Sequence, residues 1–162
     1  MLARNNAMTL IRTSDREFVL ARVFNAPRRL VFEAWTKPEH VRKWYGCSIM
    51  TLAVCEIDLR VGGAYRYVMR TPDGSEHTMT GVYREIAPPE RLVYTEQYLT
   101  QGLACGEAQV TVLFAEHDGM TTLTSTVLHA SKANCDGHLS SGMEGGATEV
   151  YNRLEAHLRT MA

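Results

Sequence analysis

The sequence has no run of about 18 apolar residues, the length that a membrane-spanning helix requires. Its first six residues lack the apolar core of a signal peptide. An excess of positive charge is also missing, because 17 Lys and Arg residues oppose 18 Asp and Glu residues. Nucleic-acid binding needs a dense basic surface, which this balance does not supply. We therefore expect a cytoplasmic protein that binds no nucleic acid and does not insert into membranes.

Cysteine is sparse, and no two cysteines form a C-x-x-C pair. In a reducing compartment such scattered residues are free thiols. The cysteines are Cys47, Cys55, Cys105 and Cys135. His129, Cys135 and His138 are residue types that bind zinc, but a zinc site needs a fourth ligand. We expect neither a metal nor a cofactor.

Beyond residue 16, apolar and polar residues alternate in short stretches, the pattern typical of half-buried strands. The stretches are residues 17–24, 49–58, 64–70, 76–86, 91–98, 107–114 and 121–129. Turn sequences such as Pro72-Asp73-Gly74 join neighbouring stretches and favour an antiparallel meander. Pro27 and Pro38 favour the starts of two short helices after the first strand.

The pattern becomes helical from residue 131 onward. One apolar stripe with spacings of three and four comprises Met143, Ala147, Val150, Tyr151, Leu154 and Leu158. We predict an α+β fold in which a curved antiparallel sheet of about six or seven strands surrounds one long C-terminal helix. A single domain over residues 17–160 is expected, after an N-terminal arm of residues 1–16, because no repeat or linker divides the chain.

Several short sequence motifs occur in the same order as in one known family. They are FNAP at 24–27, VFEAWTKPE at 31–39, Trp44, DLRVGG at 58–63, PDG at 72–74, GVYREI at 81–86, PPERLVYT at 88–95, GME at 142–144 and Leu154. Through these words the chain resembles the family named after the C-terminal domain of the activator of Hsp90 ATPase. That family belongs to the START-like, or Bet v 1-like, helix-grip superfamily. The resemblance implies a helix-grip fold, a cavity between sheet and C-terminal helix, and a homodimer.

Two departures from the family pattern concern this cavity. Tyr45-Gly46-Cys47 replaces a common Trp-Gly-Pro, and Ala147 replaces a large residue on the helix, which predicts a larger void. Strand alternation predicts a mostly apolar lining with tyrosine hydroxyls as polar groups. The predicted lining residues are Trp35, Trp44, Tyr65, Tyr67, Met69, Met79, Tyr83, Tyr94, Val112, Phe114, Met143, Ala147, Val150 and Tyr151.

Familiar catalytic signatures are missing, including a nucleophile elbow, a phosphate-binding loop, a zinc-protease motif and a dinucleotide fingerprint. We therefore assign no catalytic residue and expect non-catalytic binding of a small apolar or aromatic molecule. One alternative is a cavity enzyme, cyclase-like or dehydratase-like, that performs acid–base chemistry on an aromatic or polyketide-like substrate. Its candidate groups are His129, Glu107, Arg22 and the tyrosines.

A third alternative, suggested by the resemblance, is a stress-response co-chaperone with an Hsp90-type chaperone as partner. It is disfavoured because the eukaryotic activator has a separate N-terminal Hsp90-binding domain, for which this chain has no room. A large cavity with titratable groups would favour the enzyme, and one without them would favour simple binding.

Overall fold

In the computed structural model, which describes residues 7–100 and 103–161, eight antiparallel strands form one sheet. They are β1 (Thr9–Arg12), β2 (Glu17–Phe24), β3 (Thr51–Ile57), β4 (Ala64–Arg70), β5 (Glu76–Ala87), β6 (Arg91–Thr100), β7 (Leu103–His117) and β8 (Met120–His129). Their order across the sheet is β1-β2-β8-β7-β6-β5-β4-β3. Except at the β2–β8 pair, neighbours in the sheet are also neighbours in sequence, as short hairpin connections require.

The alternating sequence of β8 explains how the buried face of the sheet forms. Leu123 and Val127 are buried, whereas the residues that follow them in the strand are more exposed. On β7, Phe114 and Val110 lie directly opposite these two residues. Burial of each such side chain contributes about 1.5–3 kcal/mol, so a slip of one residue in register would be strongly unfavourable.

Four helices in the described residues complete the fold: α1 (Arg28–Thr36), α2 (Pro38–Trp44), α3 (Lys132–Ser140) and α4 (Met143–Met161). Pro38 lies in the first turn of α2, where its missing N–H leaves no hydrogen bond unmade. Trp44 Nε1 donates to the carbonyl oxygen of Ala34 at 2.9 Å and so links α2 to α1. None of the described helices is both long enough and apolar enough to cross a membrane.

The number of strands is higher than the six or seven predicted. The additional strand is β1, where Leu10 pairs with Leu20 and Ile11 with Val19 at the edge of the sheet. Four residues are too few for a periodic pattern to be recognised, so this segment was assigned to the N-terminal arm. Residues 1–6 of that arm lie outside the described residues.

The C-terminal helical region is also divided. Gly142 has a φ of +83°, a left-handed conformation that glycine adopts without steric cost, and it separates α3 from α4. The long helix of the prediction is α4, and α3 precedes it as a further short helix.

Apolar packing is dense where α4 covers β2 and β8. Phe24 and Leu154 are each fully buried there. The ring of Phe24 meets that of Tyr151 edge-on, with centroids 5.8 Å apart, a favourable geometry for aromatic pairs. The sheet region around β4, β5 and β6, by contrast, is covered by α1 and α2 through large aromatic side chains.

Candidate functional site

A cavity of about 40 Å³ lies between α1–α2 and the strands β4, β5 and β6. We call it the aromatic cavity, and it is lined by Trp35, Trp44, Tyr45, Tyr65, Tyr67, Met79, Tyr83, Tyr94 and Glu96. A buried water needs about 10–15 Å³ by the same measure, so this volume accommodates roughly two or three waters or a small chemical group. It is far smaller than the roughly 300–1,000 Å³ of a drug-sized site.

Strand alternation places the cavity's side chains on one face. On β4, Tyr65 and Tyr67 both point to the buried face, because they are two residues apart. Cross-strand pairing then brings Met79 opposite Tyr67 and Tyr94 opposite Tyr83. The β4–β6 hairpins therefore gather phenol rings from three neighbouring strands into one surface.

The aromatic rings contact one another at tilted or edge-on angles. The ring centroids of Tyr65 lie 5.1 Å from those of Tyr67, 5.6 Å from Tyr83 and 5.4 Å from Tyr94. Tyr45 lies just after α2, and its ring centroid is 4.8 Å from that of Tyr67. This contact connects the aromatic cluster on the strands to the helices. Such offset and edge-on pairs are each worth about 0.5–1.5 kcal/mol, so the cavity wall is stiff.

Gly81 allows Tyr65 to adopt its position. A Cβ at residue 81 would lie 1.7 Å from the carbonyl oxygen of Thr95 and 2.8 Å from the Tyr65 ring. With only hydrogen there, the ring passes over β5 and its hydroxyl donates to the same carbonyl oxygen at 2.8 Å. The Tyr65 phenol therefore has a hydrogen-bond partner within the protein, and its ring remains as cavity wall.

Glu96 is the carboxyl group of the aromatic cavity. Among the described residues, no side chain and no backbone group hydrogen bonds or ion-pairs with its carboxylate. Its side chain is half-buried at the cavity wall, and desolvation raises its pKa from 4.5 to about 7. A partly buried acid normally has hydrogen-bond donors or a cation beside it, so the site is short of one partner.

The phenols around Glu96 remain protonated. Burial, followed by the nearby charge of Glu96, raises the pKa values of Tyr45, Tyr65 and Tyr94. The same two causes raise the pKa of Tyr151. All these rings are therefore neutral at physiological pH, and Glu96 is the group of the cavity that changes charge near neutrality.

Seven of the predicted lining residues lie together in the aromatic cavity, and the other seven do not. Met69 is buried elsewhere on β4, and Val112 and Phe114 belong to the packed core. From α4, Tyr151 is buried in the core, while Met143, Ala147 and Val150 are half-buried beside it. In the described residues, α4 supplies no side chain to the cavity, because α1 and α2 lie over this part of the sheet.

Two residues of the aromatic cavity, Tyr45 and Glu96, are not among the predicted lining residues. Glu96 is two residues after Tyr94 and four after Leu92, both of which are buried, so strand alternation could have identified it as an inward-facing acid. Tyr45 lies at the end of a helix, outside any periodic pattern, and no sequence signal identifies its direction.

The other proposed acid–base residues lie away from the cavity. Arg22 donates from Nη1 to Asn152 Oδ1 at 2.6 Å, beneath α4, and burial lowers its pKa. Glu107 borders an open depression of about 310 Å³ that Arg16 and Arg84 also line. His129 borders it too, but its Nε2 lies 3.0 Å from His138 Nδ1. These groups do not share a site with the tyrosines.

The residues considered for zinc do not form a described ligand cluster. Across residues 7–100 and 103–161, no group of three or more His, Cys, Asp or Glu side chains is arranged to hold a metal ion. Cys47, Cys55 and Cys135 are free thiols, and the side chain of Cys105 lies outside the described part.

Comparison with known proteins gives a family and a set of folds. The family model described as "Activator of Hsp90 ATPase homolog 1-like protein" matches residues 25–159. No curated protein matches the chain significantly. A structure from Rhodobacter sphaeroides is 26% identical with a TM-score of 0.88, and the match covers 95% of this chain and 99% of that one.

Two further structures agree with this architecture. One from Chromobacterium violaceum is 27% identical with a TM-score of 0.74, covering 90% of this chain and 98% of that one. Another, from Nitrosomonas europaea, is 24% identical with a TM-score of 0.80, covering 91% and 97%, and supports the fold alone. None of these three relatives is named for a function.

Proposed function

The chain belongs to the activator of Hsp90 ATPase homolog 1-like family, and from that membership we propose that it binds a small molecule with an aromatic or apolar body in the aromatic cavity. One observation carries the proposal: seven aromatic side chains enclose free volume beside a carboxyl that has no partner in the described residues. Protein interiors are close-packed and their polar groups are hydrogen-bonded. The aromatic cavity departs from both rules, because it contains free volume and an unpaired carboxyl. A ligand that fills the volume and pairs with the carboxyl would remove both departures.

The size of the cavity limits how a ligand enters. About 40 Å³ accommodates a small group, whereas an apolar cavity that holds benzene is about 150 Å³. Trp35, Tyr45 and Met79 are half-buried lining residues, in contrast to the buried Tyr65 and Tyr67. We propose that these three side chains move aside for the body of the ligand, while the phenol wall stays in place.

Both tryptophans of the chain line the cavity, so tryptophan fluorescence reports directly on its occupation. Native mass spectrometry of the protein purified from its own source should detect a bound small molecule. Adding that molecule to ligand-free protein should change the emission of Trp35 and Trp44 and saturate at one equivalent. A co-purified molecule that leaves both the fluorescence and the melting temperature unchanged would contradict binding in this cavity.

A second candidate is the cavity enzyme, and Glu96 is the observation that favours it. A general base works best when its pKa is near the working pH, and burial raises the pKa of Glu96 to about 7. Under this candidate, Glu96 exchanges a proton with the substrate and the neighbouring phenols donate hydrogen bonds to it. Conversion of the bound molecule by wild type but not by Glu96→Gln would support catalysis, whereas its recovery unchanged from both would support simple binding.

A further inference from the structure

We propose that the aromatic cavity selects an organic cation, in which a protonated amine or quaternary ammonium group lies against the aromatic faces and pairs with the Glu96 carboxylate. This inference rests on the proposed small-molecule function and deepens it by naming the class of ligand. It depends on the composition of the cavity wall, the missing partner of Glu96 and the charges that surround them.

Glu96 differs from other glutamates that are wholly or partly buried. Glu155 accepts from the backbone N–H of Asn25 at 3.3 Å, and Glu149 accepts from the N–H of Ser48 at 2.9 Å. Glu33 pairs with Lys37 Nζ at 2.9 Å. Each of these acids has a donor within the chain, whereas Glu96 has none in the described residues. Because an unpaired carboxylate in a partly desolvated aromatic wall is costly, an external donor with positive charge is the group that would stabilise it most.

The aromatic wall favours the same kind of ligand. The π faces of tryptophan and tyrosine carry partial negative charge and attract cations within about 6 Å of the ring centroid. Two tryptophans and five tyrosines line the cavity, and no Lys, Arg or His is among the described residues that line it. The described residues therefore supply no cation to these aromatic faces.

The hydroxyl groups around the cavity do not take over this role. Tyr65 donates its proton to the Thr95 carbonyl oxygen at 2.8 Å, so this hydroxyl is engaged away from Glu96. In the described residues, no hydrogen bond joins the hydroxyl of Tyr67, Tyr83 or Tyr94 to the Glu96 carboxylate. The phenol hydroxyls therefore do not supply the missing partner of Glu96, and the rings remain as cavity wall.

An anionic ligand is disfavoured, because the Glu96 carboxylate and the negative faces of the aromatic rings would both repel it. A neutral ligand can enter, but it leaves the carboxylate unpaired or requires Glu96 to be protonated. The volume of about 40 Å³ suits a compact ammonium group, while the rest of the molecule extends toward Trp35, Tyr45 and Met79. A primary ammonium attached to an aromatic body fits with the least movement.

Three probes with one aromatic body separate these cases: phenethylammonium (cationic), 2-phenylethanol (neutral) and phenylacetate (anionic). Dissociation constants are measured by tryptophan fluorescence and calorimetry at about pH 8, where Glu96 is ionised. Wild type should bind phenethylammonium about 10- to 100-fold more tightly than 2-phenylethanol, since hydrogen bonds to charged groups are worth about 1.5–3 kcal/mol. Phenylacetate should bind most weakly. Benzyltrimethylammonium, which cannot donate, tests whether the aromatic faces alone hold a cation.

Glu96→Gln should abolish the preference for the cation and leave 2-phenylethanol affinity unchanged or higher. Glu107→Gln is the matched control, because Glu107 is exposed and borders the separate open depression. It should bind all probes as wild type does. Lowering the pH from about 8 to about 6 should weaken phenethylammonium binding to wild type, as Glu96 becomes protonated while an alkylamine, with a pKa near 10, stays charged. The titratable groups near Glu96 are the phenols that line the cavity and that of the adjacent core residue Tyr151. Burial raises the pKa of each, so none ionises in this range.

The outcomes separate the two proposals. Saturable binding in which 2-phenylethanol equals the cation, or a cation preference that survives Glu96→Gln, overturns the cation inference and leaves the small-molecule function standing. Absence of saturable binding by every probe overturns both. Cation-selective binding that depends on Glu96 supports both.

Discussion

Glu96 couples the ionisation of the aromatic cavity to the folding of the protein. Its pKa is 4.5 in the unfolded reference and about 7 in the fold, because burial disfavours the charged form. Between these values the unfolded chain has lost the proton while the folded chain retains it. The free energy of unfolding therefore falls as the pH rises from 4.5 to about 7. Above about pH 7, the ionisation of Glu96 causes no further change in this free energy.

Replacing Glu96 by glutamine should remove this loss. A rise of this size in pKa corresponds to about 3 kcal/mol at 1.36 kcal/mol per unit. Glu96→Gln should therefore gain stability relative to wild type between about pH 5 and about pH 8. Urea unfolding of both proteins at the two pH values gives the difference, and exposed Glu107→Gln is the control. Parallel pH profiles for wild type and Glu96→Gln would show that the carboxyl is not buried as described.

Gly81 is the residue at which the smallest side-chain addition should do the most damage. Alanine places a Cβ 1.7 Å from the Thr95 carbonyl oxygen and 2.8 Å from the Tyr65 ring, and backbone cannot move aside as a side chain can. We expect Gly81→Ala to cost about 3 kcal/mol or more and to change the tryptophan emission. Chemical unfolding and fluorescence measure both. A variant with wild-type stability would mean that β5 and β6 adjust freely at this point.

The glycines at the start of α4 are of a different kind. A Cβ at Gly145 or Gly146 would have no neighbouring atom within 4 Å. Both residues are exposed, so close packing does not explain them. They weaken the first turns of α4 without a steric requirement in this structure.

Gly145→Ala should therefore stabilise the protein by about 0.5–1 kcal/mol, because alanine loses less conformational freedom in a helix. The effect should be opposite in sign to that of Gly81→Ala, and urea unfolding compares the two directly. A loss of stability in Gly145→Ala would indicate that this part of α4 must remain irregular or must open.

α3 is held against β8 and β2 by neutral histidines. His138 on α3 lies 3.0 Å from His129 on β8, and its ring meets Phe18 edge-on at 5.1 Å. Burial, then the neighbouring His129, lowers the pKa of His138 to about 4, and burial lowers that of His129. Between about pH 4 and the ordinary histidine value of about 6.5, the unfolded chain binds protons that the fold excludes, so stability falls as pH falls.

His138→Gln should reduce this acid sensitivity, since glutamine can still hydrogen bond to His129 but does not titrate. Unfolding measured at about pH 7 and about pH 5 should show a smaller decrease for the variant than for wild type. His117→Gln is the control, because the side chain of His117 is 88% exposed. Equal decreases for His138→Gln and wild type would contradict the coupling.

The molecule as a unit divides between a packed side under α4 and an aromatic side under α1 and α2. The small residue at position 147 predicted a void beside α4, but Ala147 is half-buried next to the core and does not line the aromatic cavity. A larger residue at position 147 therefore does not test this cavity. Met79 does, because it is a half-buried lining residue opposite Tyr67.

Met79→Trp should fill the aromatic cavity and weaken ligand binding, while Met79→Leu, which conserves volume, should bind as wild type does. A ligand at 100 times its dissociation constant should add about 2.7 kcal/mol to the stability of wild type and of Met79→Leu, and little to that of Met79→Trp. Calorimetric melting with and without ligand measures this. Equal ligand-induced shifts in all three proteins would place the binding site elsewhere.

Sequence alone determined most of the fold, because its strands and helices are defined by local periodicity. The alternation of β4 is enough to place Tyr65 and Tyr67 on one face, and the prolines mark the entries to α1 and α2. The short sequence motifs shared with the family predicted that these elements follow the helix-grip order. The family match supports that assignment. β1 was not predicted, because its strand conformation depends on pairing with β2 and not on a local sequence pattern.

Tertiary structure alone decided where the site lies and which group gives it chemistry. Periodicity shows which face a residue takes, but not which helix covers that face, so the aromatic cavity lies under α1–α2 and not under α4. The pKa of Glu96 and its missing partner depend on burial and on atoms distant in sequence. The close approach of Gly81 to Thr95 and Tyr65 likewise exists only after three strands have paired. Such properties arise from the surroundings of a residue in space, and a local sequence pattern does not contain them.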